Sequence, residues 1–207
     1  FYFLEQSAPD QVVSTIVQLC RQELPRHFGL DPINDLQVLT PMHKGPVGTI
    51  NLNHVLQDAL NPNPVLQEGV GSNFKVNDKV MHLKNNYQKD VYNGDIGTIH
   101  HIDKKSGQVS VDYYGRTVEY DVKDLNEITV AYAISVHKSQ GSEYPAVIIP
   151  LLTQHYIMLQ RNLLYTAMTR GKKLVILIGS HKALSIALKN DKPQQRLSRL
   201  ADRLRQF

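Results

Sequence analysis

The chain has 207 residues, of which 42% are hydrophobic and 20% charged, a balance typical of a globular protein with one core and room for a small second domain. Its net charge of +4 suits a polyanionic partner without requiring one. The single cysteine, Cys20, excludes an internal disulfide and fits a reducing, cytoplasmic setting; no signal peptide or apolar run of the ~18 residues that a membrane span needs is visible. Because the sequence starts at Phe1 rather than at methionine, we expect a piece of a longer protein.

The first part of the chain has the pattern of an α/β unit. A short strand is predicted at 1–4, and a helix begins at Asp10, its expected N-cap, and breaks at Pro25. A strand follows at 36–39, and a helix is predicted from about Gly48 to residue 60.

No helical pattern occurs between residues 71 and 128. Short alternating runs are separated there by turn signals, at 80–83, 96–99, 108–113 and 116–120. Strands of this length and spacing predict a small β-barrel, SH3-like in size, that interrupts the α/β unit. The predicted domains are therefore 71–128 for the barrel, and 1–70 together with 129–207 for the α/β domain.

The densest group of polar side chains follows an apolar run that begins near Thr129. It consists of His137, Lys138, Ser139 and Gln140, followed by Gly141 and Glu143. A second apolar run, 146–149, is expected to stop at Pro150. So many hydrogen-bonding groups beside a buried strand suit a site that grips phosphates or a nucleotide. Gly141 would allow close backbone approach or a positive φ.

A second stretch, 160–170, has apolar residues at helical spacing, with Arg170 in the last turn and Gly171 as the expected helix stop. A strand is predicted at 174–178. A helix capped by Ser180 and a terminal helix at about 194–205 complete the prediction.

The stretches 129–144 and 160–170 resemble motifs V and VI of superfamily 1 helicases, and their amino-acid sequences resemble the RecD branch in particular. Residues 36–45 resemble motif IV of that family, and Asn85–Tyr87 with 93–97 resemble its inserted barrel. The resemblance covers nearly the whole chain. It implies an α/β fold: the second RecA-like, P-loop-NTPase-type motor domain, a parallel sheet with flanking helices, interrupted by an SH3-like barrel.

For the nucleotide, the resemblance implies that Arg170 is an arginine finger reaching the ATP γ-phosphate across a cleft, a role worth ~10³–10⁵ in rate. The alternative is a cation that merely suits a helix C-terminus. Glu143 is implied as a ribose contact, the alternative being an ordinary loop carboxylate. Gln140 and Gly141 would line the same cleft.

For DNA, the resemblance implies backbone contacts from the polar block and from the motif IV loop: His137, Lys138, Ser139, Thr40 and His43. Lys44 of the same loop is assigned to the nucleotide, and which of His43 and Lys44 reaches a phosphate is left open. Asn86 and Tyr87, on a loop with two lysines, suit single-stranded DNA because bases stack on rings while cations follow the backbone. The alternative for His137 is a hydrogen-bonded core histidine, and for Lys138 a solvated side chain. The loop with Asn86 and Tyr87 could instead be an ordinary solvated loop.

The sequence contains no Gly-x-x-x-x-Gly-Lys-Ser/Thr loop, so this chain alone should not hydrolyse ATP. ATP and Mg²⁺ would be held mainly by a first RecA-like domain outside this sequence. No His-Glu-x-x-His or paired-cysteine spacing predicts a metal site.

The function implied is the C-terminal motor half of a 5′-3′ DNA helicase. Its expected partners are single-stranded DNA, its own N-terminal RecA-like domain and nuclease or helicase subunits. The alternatives are a non-catalytic module that binds nucleic acid or protein, and a regulatory subunit of a DNA repair complex.

Overall fold

The structure is a computed structural model that describes residues 1–65, 67–69 and 72–191. Its strands are β1 (Tyr2–Glu5), β2 (Leu36–Thr40), β3 (Gln67–Gly69), β4 (Ser72–Phe74), β5 (Lys79–His82), β6 (Ile96–Ile102), β7 (Val109–Tyr113), β8 (Arg116–Tyr120), β9 (Ile128–Val130), β10 (Ala133–Ser135), β11 (Tyr144–Leu151) and β12 (Gly171–Gly179). Its α-helices are α1 (Pro9–Gln18), α2 (Leu24–Phe28), α3 (Thr49–Leu60), α4 (Arg161–Met168) and α5 (His181–Lys189). The helix predicted at 194–205 lies outside the described residues.

A parallel five-stranded sheet, in the order β1-β12-β11-β2-β10, forms the centre of the α/β domain. Helices cover both of its faces. Ile148 of β11 belongs to the core that also contains Ile16 of α1 and Leu52 of α3. Its neighbour Ile149 belongs to the core that contains Leu164 of α4 and the buried alanines of α5. Burial on both faces explains the long apolar runs of β11 and β12, and the predicted α/β class is confirmed.

The second sheet is antiparallel, in the order β8-β7-β6-β5-β9, and forms the predicted barrel. Its four predicted strands are present, and turns between them contain residues in the left-handed conformation. Gly94 has φ 100°, and the two residues that join β7 to β8, Tyr114 and Gly115, have φ 55° and 88°. Two successive positive φ angles are typical of a tight hairpin turn that matches strand twist.

The prolines at 25 and 150 do not stop their elements, contrary to expectation. Helix α1 continues through a π-helical turn, Leu19–Glu23, into α2, with Pro25 next to that turn. Asp10 is not the N-cap; the cap is Ala8, without a side-chain bond. Strand β11 runs through Pro150 because its pairing with β2 ends at Ile148, so the proline has a strand neighbour on one side.

The apolar run after Thr129 is shared between the two sheets. Strand β9 pairs antiparallel with β5 in the barrel, whereas β10 pairs parallel with β2. The chain therefore crosses from barrel to α/β sheet at Ala131 and Tyr132. The Gln37 side-chain amide, fully buried, donates to both of their carbonyl oxygens at 3.0 Å.

A buried carboxylate ties the barrel to α3. Asp78 is fully buried and accepts hydrogen bonds from Gln57 Nε2 (2.6 Å), Asn61 Nδ2 (2.8 Å), the Lys75 N–H (2.7 Å) and the Tyr132 hydroxyl (3.0 Å). Burial raises the pKa of Asp78, and the four hydrogen bonds oppose that rise. The barrel thus joins the α/β domain through an internal polar network as well as through apolar packing.

The residue next to Asp78 makes another internal bridge. The Lys79 ammonium, 3% exposed, donates to the carbonyl oxygen of Leu36 at the start of β2, at 2.9 Å. Burial lowers the pKa of Lys79 to about 8.

No helix among the described residues is long and apolar enough to cross a membrane.

Candidate nucleotide and DNA site

Arg170 lies in the turn between α4 and β12, half-buried at the edge of the sheet. Its Nε donates to the Thr166 carbonyl oxygen (3.2 Å), one terminal nitrogen to the Ser142 carbonyl oxygen (3.1 Å), and the other to the Thr169 hydroxyl (3.1 Å). These bonds leave N–H groups on both terminal nitrogens for a further acceptor. The guanidinium is therefore held at a defined place without being sealed in the interior.

The turn that carries Gly141 and Glu143 lies against this arginine. The Tyr144 N–H donates to the Arg170 carbonyl oxygen at 2.8 Å, which fixes the start of β11 beside the end of α4. Gly141 has φ 87°, the positive angle that the sequence suggested. Glu143 is exposed and forms a 3.3 Å ion pair with Lys172, also exposed. Such a pair contributes little stability, so Glu143 can exchange it for a ligand at small cost.

The polar block from 137 to 139 forms a short 3-10 turn, Val136–Ser139, in which Val136 and Ser139 are buried. His137 and Lys138 are exposed, as is Gln140 after them, and partial desolvation lowers the pKa of Lys138. Ser139 differs: it is fully buried and donates to the Val136 carbonyl oxygen at 2.8 Å. In this structure Ser139 holds the turn together, so the predicted DNA contact of its hydroxyl is not available.

The end of β2 and the loop after it also contain both buried and exposed candidate residues. Thr40 is fully buried, and its hydroxyl donates to the Val47 carbonyl oxygen (2.7 Å), so it shapes the loop instead of meeting DNA, contrary to expectation. His43 and Lys44 are exposed. His43 is steadied by a 2.8 Å hydrogen bond between its Nδ1 and the Thr49 hydroxyl.

His43 and Lys138 meet in one cleft between the α/β sheet and the barrel. This basic cleft, of about 420 Å³, is also lined by Asn53 of α3 and by Met81 and Thr129 of the barrel. These two basic residues follow the carboxyl-terminal ends of β2 and β10, which are neighbours in the sheet. Ligands of open parallel sheets bind at such ends. The structure thus brings together two of the residues that the sequence assigned to DNA.

The barrel loop after β5 presents one residue of the predicted pair. Asn86 is half-buried, donates to Glu127 Oε2 (3.2 Å) and accepts from the Lys89 N–H (3.1 Å), so its side chain closes the loop. Lys89 is itself occupied, in a 2.9 Å ion pair with Asp124. Tyr87 is 76% exposed. It is the more exposed of the two tyrosines of this loop, since Tyr92 is 44% exposed.

Several polar side chains on α4 were not singled out from the sequence. Asn162 and Thr166 line a cleft of about 200 Å³ with His137 and Gln140. Thr169, one residue before the arginine, accepts its hydrogen bond. The spacing of four between Asn162 and Thr166 marks a polar helix face opposite Leu164, a signal that was present in the sequence. Within the described residues, no group of three or more His, Cys, Asp or Glu side chains could hold a metal ion.

Two family models match the chain, one on each of its structural units. Residues 52–113 match the ATP-dependent RecD-like DNA helicase SH3 domain, and residues 130–178 match the UvrD-like helicase C-terminal domain. The first covers most of the barrel and the second covers β10 to β12, including the Arg170 edge.

Curated relatives and a solved structure agree with these matches. The chain is 35% identical to the ATP-dependent RecD2 DNA helicase of Deinococcus radiodurans over 82% of its own length and 23% of that protein. It is 32% identical to the RecBCD enzyme subunit RecD of Buchnera aphidicola over 74% of its length and 26% of that subunit. The chain thus spans about a quarter of these relatives.

One structural neighbour is a Pif1 helicase from Bacteroides solved in complex with ADP-AlF3 and single-stranded DNA. It aligns with 98% of this chain and 51% of its own, at a TM-score of 0.53 and 18% identity, which supports the fold alone. Taken with the family models, these likenesses show that the chain belongs to the RecD-like branch of the superfamily 1 helicases and corresponds to their C-terminal part.

Proposed function

We propose that this chain is the C-terminal motor half of an ATP-dependent 5′-3′ DNA helicase of the RecD type. The observation that carries the proposal is the placement of Arg170 beside the turn with Gly141 and Glu143, at one open edge of the domain. The Deinococcus relative, named an ATP-dependent helicase, supports it. The setting would be the cytoplasm, as the lone cysteine suggests.

The nucleotide would lie between this edge and a first RecA-like domain that supplies the P-loop. Arg170 would direct its remaining N–H groups to the γ-phosphate, where a planar cation stabilises the charge that develops during transfer. Glu143 would accept hydrogen bonds from ribose hydroxyls, and Gln140 and Gly141 would line the same space. Mg²⁺, held mainly by the first domain, would neutralise phosphate charge. Without that domain we expect no ATP hydrolysis.

Single-stranded DNA would follow the opposite, cationic side of the domain. His43 and Lys138 in the basic cleft would contact backbone phosphates, with His137 and Lys44 beside them, and Tyr87 would stack on a base. Closure of the two lobes on ATP and opening after hydrolysis would move the protein along the strand. Nuclease or helicase subunits are further candidate partners, since the Buchnera relative is named a RecBCD subunit.

The test uses the full-length protein with Arg170→Ala. We expect ATP turnover to fall by ~10³-fold or more, with affinity for single-stranded DNA retained. Arg161→Ala, at the exposed opposite end of α4, is the matched control and should keep its turnover. Normal turnover in Arg170→Ala would rule out the arginine finger.

Lys138→Ala examines the DNA contact in the same protein. Loss of one phosphate contact should weaken single-strand binding and reduce the slope of log affinity against log salt by about 0.7. Lys104→Ala, on the exposed turn after β6, controls for net charge. Identical salt slopes for Lys138→Ala and the wild type would show that this ammonium does not neutralise a phosphate.

A further inference from the structure

A second cleft, of about 590 Å³, separates the barrel from the turn at 141–145, and its barrel wall has no part in the roles assigned above. We call it the barrel cleft. Its barrel wall includes Thr98, Asp112 and Tyr114, and its other wall is the turn itself. The volume lies within the ~300–1,000 Å³ typical of small-molecule sites. The cleft therefore combines residues of the nucleotide edge with residues of the barrel, which the sequence had assigned to DNA.

Tyr114 has no structural reason to be aromatic. Its side chain is 90% exposed at the tip of the β7–β8 hairpin, so it contributes little to the core. Its φ of 55° is a left-handed conformation that favours Asn, Asp or Gly over a bulky residue. A ring kept in such a position, at the rim of a cleft, offers its face to a planar ligand.

The barrel cleft adjoins the arginine through the turn. Ser142 lines the cleft, and its carbonyl oxygen accepts the hydrogen bond from Arg170. Tyr144, in the cleft wall, is 6% exposed, and burial raises its pKa to about 12. Tyr114 and Arg170 both act electrostatically on this phenol.

The charged side chains of the barrel cleft indicate which way round a nucleotide would bind. The barrel cleft contains the carboxylates of Asp112 and Glu143, which repel phosphates but accept hydrogen bonds from hydroxyl groups. The buried Lys79 ammonium in its wall is bonded to the Leu36 carbonyl oxygen. The cationic donors at this edge belong to Arg170, beyond Ser142, and to Lys172, which is paired with Glu143. A nucleotide would therefore place its phosphates toward Arg170 and its uncharged end in the cleft.

We propose that the barrel cleft binds the nucleoside end of ATP, with the base stacked on Tyr114 and the ribose hydroxyls donating to Glu143 and Asp112. The inference rests on the proposed function, because it extends the same nucleotide site. It makes the barrel a part of that site as well as a DNA-facing module.

The experiment compares two ligands on the full-length protein, Mg-ATP and Mg-tripolyphosphate, by competition against a fluorescent ATP analogue. Tyr114→Asn removes the ring while suiting the left-handed turn. We expect its affinity for ATP to fall by roughly tenfold, as for the loss of one base stack, with tripolyphosphate affinity unchanged. Tyr114→Phe should bind like the wild type. Tyr156→Ala, another exposed tyrosine (66%), is the matched control.

Unchanged ATP affinity in Tyr114→Asn would overturn the inference, and so would an equal loss for both ligands, because a stacking contact acts on the base alone. This failure is separable from failure of the proposed function. If Arg170→Ala abolishes turnover while Tyr114→Asn binds ATP normally, the arginine finger stands and the barrel cleft has no role in nucleotide binding. If Arg170→Ala turns over normally, the finger is refuted whatever Tyr114 does.

Discussion

Replacing Asp78 by alanine should be among the most destabilising changes in the chain. The substitution leaves four buried donors without their acceptor, on Gln57, Asn61, Lys75 and Tyr132. Each unsatisfied donor costs ~1–3 kcal/mol, and the relief of no longer burying a carboxylate offsets several kcal/mol. We expect a net loss of about 3–5 kcal/mol in the free energy of unfolding.

Urea denaturation of wild type and Asp78→Ala would measure this loss from the shift in midpoint at constant slope. By thermal unfolding it corresponds to ~6–20 °C for a chain of this size. Asp121→Ala removes an exposed carboxylate that accepts from Gln108 at 3.3 Å, and should cost under ~0.5 kcal/mol. A loss below ~1 kcal/mol in Asp78→Ala, or one equal to that of the control, would contradict the view that this network joins barrel and motor domain.

Two further predictions concern the buried lysine and the arginine. Burial lowers the pKa of Lys79 from 10.5 to about 8. Between about pH 8 and pH 10.5 the folded chain therefore binds fewer protons than the unfolded chain, and the contribution of Lys79 to stability rises with pH across that window. Wild type should therefore gain about 2 kcal/mol relative to Lys79→Met between pH 7 and pH 10 in urea denaturation, and a constant difference would refute the burial argument. Thr169→Val should lower kcat for ATP about fivefold in the full-length protein by freeing the Arg170 side chain, with KM unchanged and activity restored by Thr169→Ser; equal losses in both variants would contradict a hydrogen-bonding role.

The elements themselves were largely predictable because their signals are local. Alternation and turn residues located the barrel strands, and Ser180 caps α5 as expected by accepting from the Ala183 N–H. What the sequence could not reveal was which sheet a strand joins. The apolar run from Ile128 to Val136 looks like one core strand, but periodicity does not specify partners, and the run divides at Ala131.

The exposure of the candidate residues was predictable for the long cations and poorly predictable for the hydroxyl groups. Arg170 and Lys138 carry charge on flexible stems and reach the surface. Ser139 and Thr40 were grouped with them by adjacency, yet short side chains readily bond to nearby backbone carbonyls, and both do so here. The role of Tyr114 depends on a turn of the barrel meeting the 141–145 turn, and such a long-range contact has no local signature.

The chain enters and leaves the barrel on two strands that are hydrogen-bonded to each other, β5 and β9, with His82 opposite Ile128. The segment between them, residues 83–127, therefore starts and ends at one pair of strands. Residues can be inserted into or deleted from its loops without changing the angle at which β5 and β9 meet the α/β sheet. We therefore expect related proteins to differ in the loop lengths of the barrel, because a longer loop or hairpin there would keep the same orientation toward both clefts.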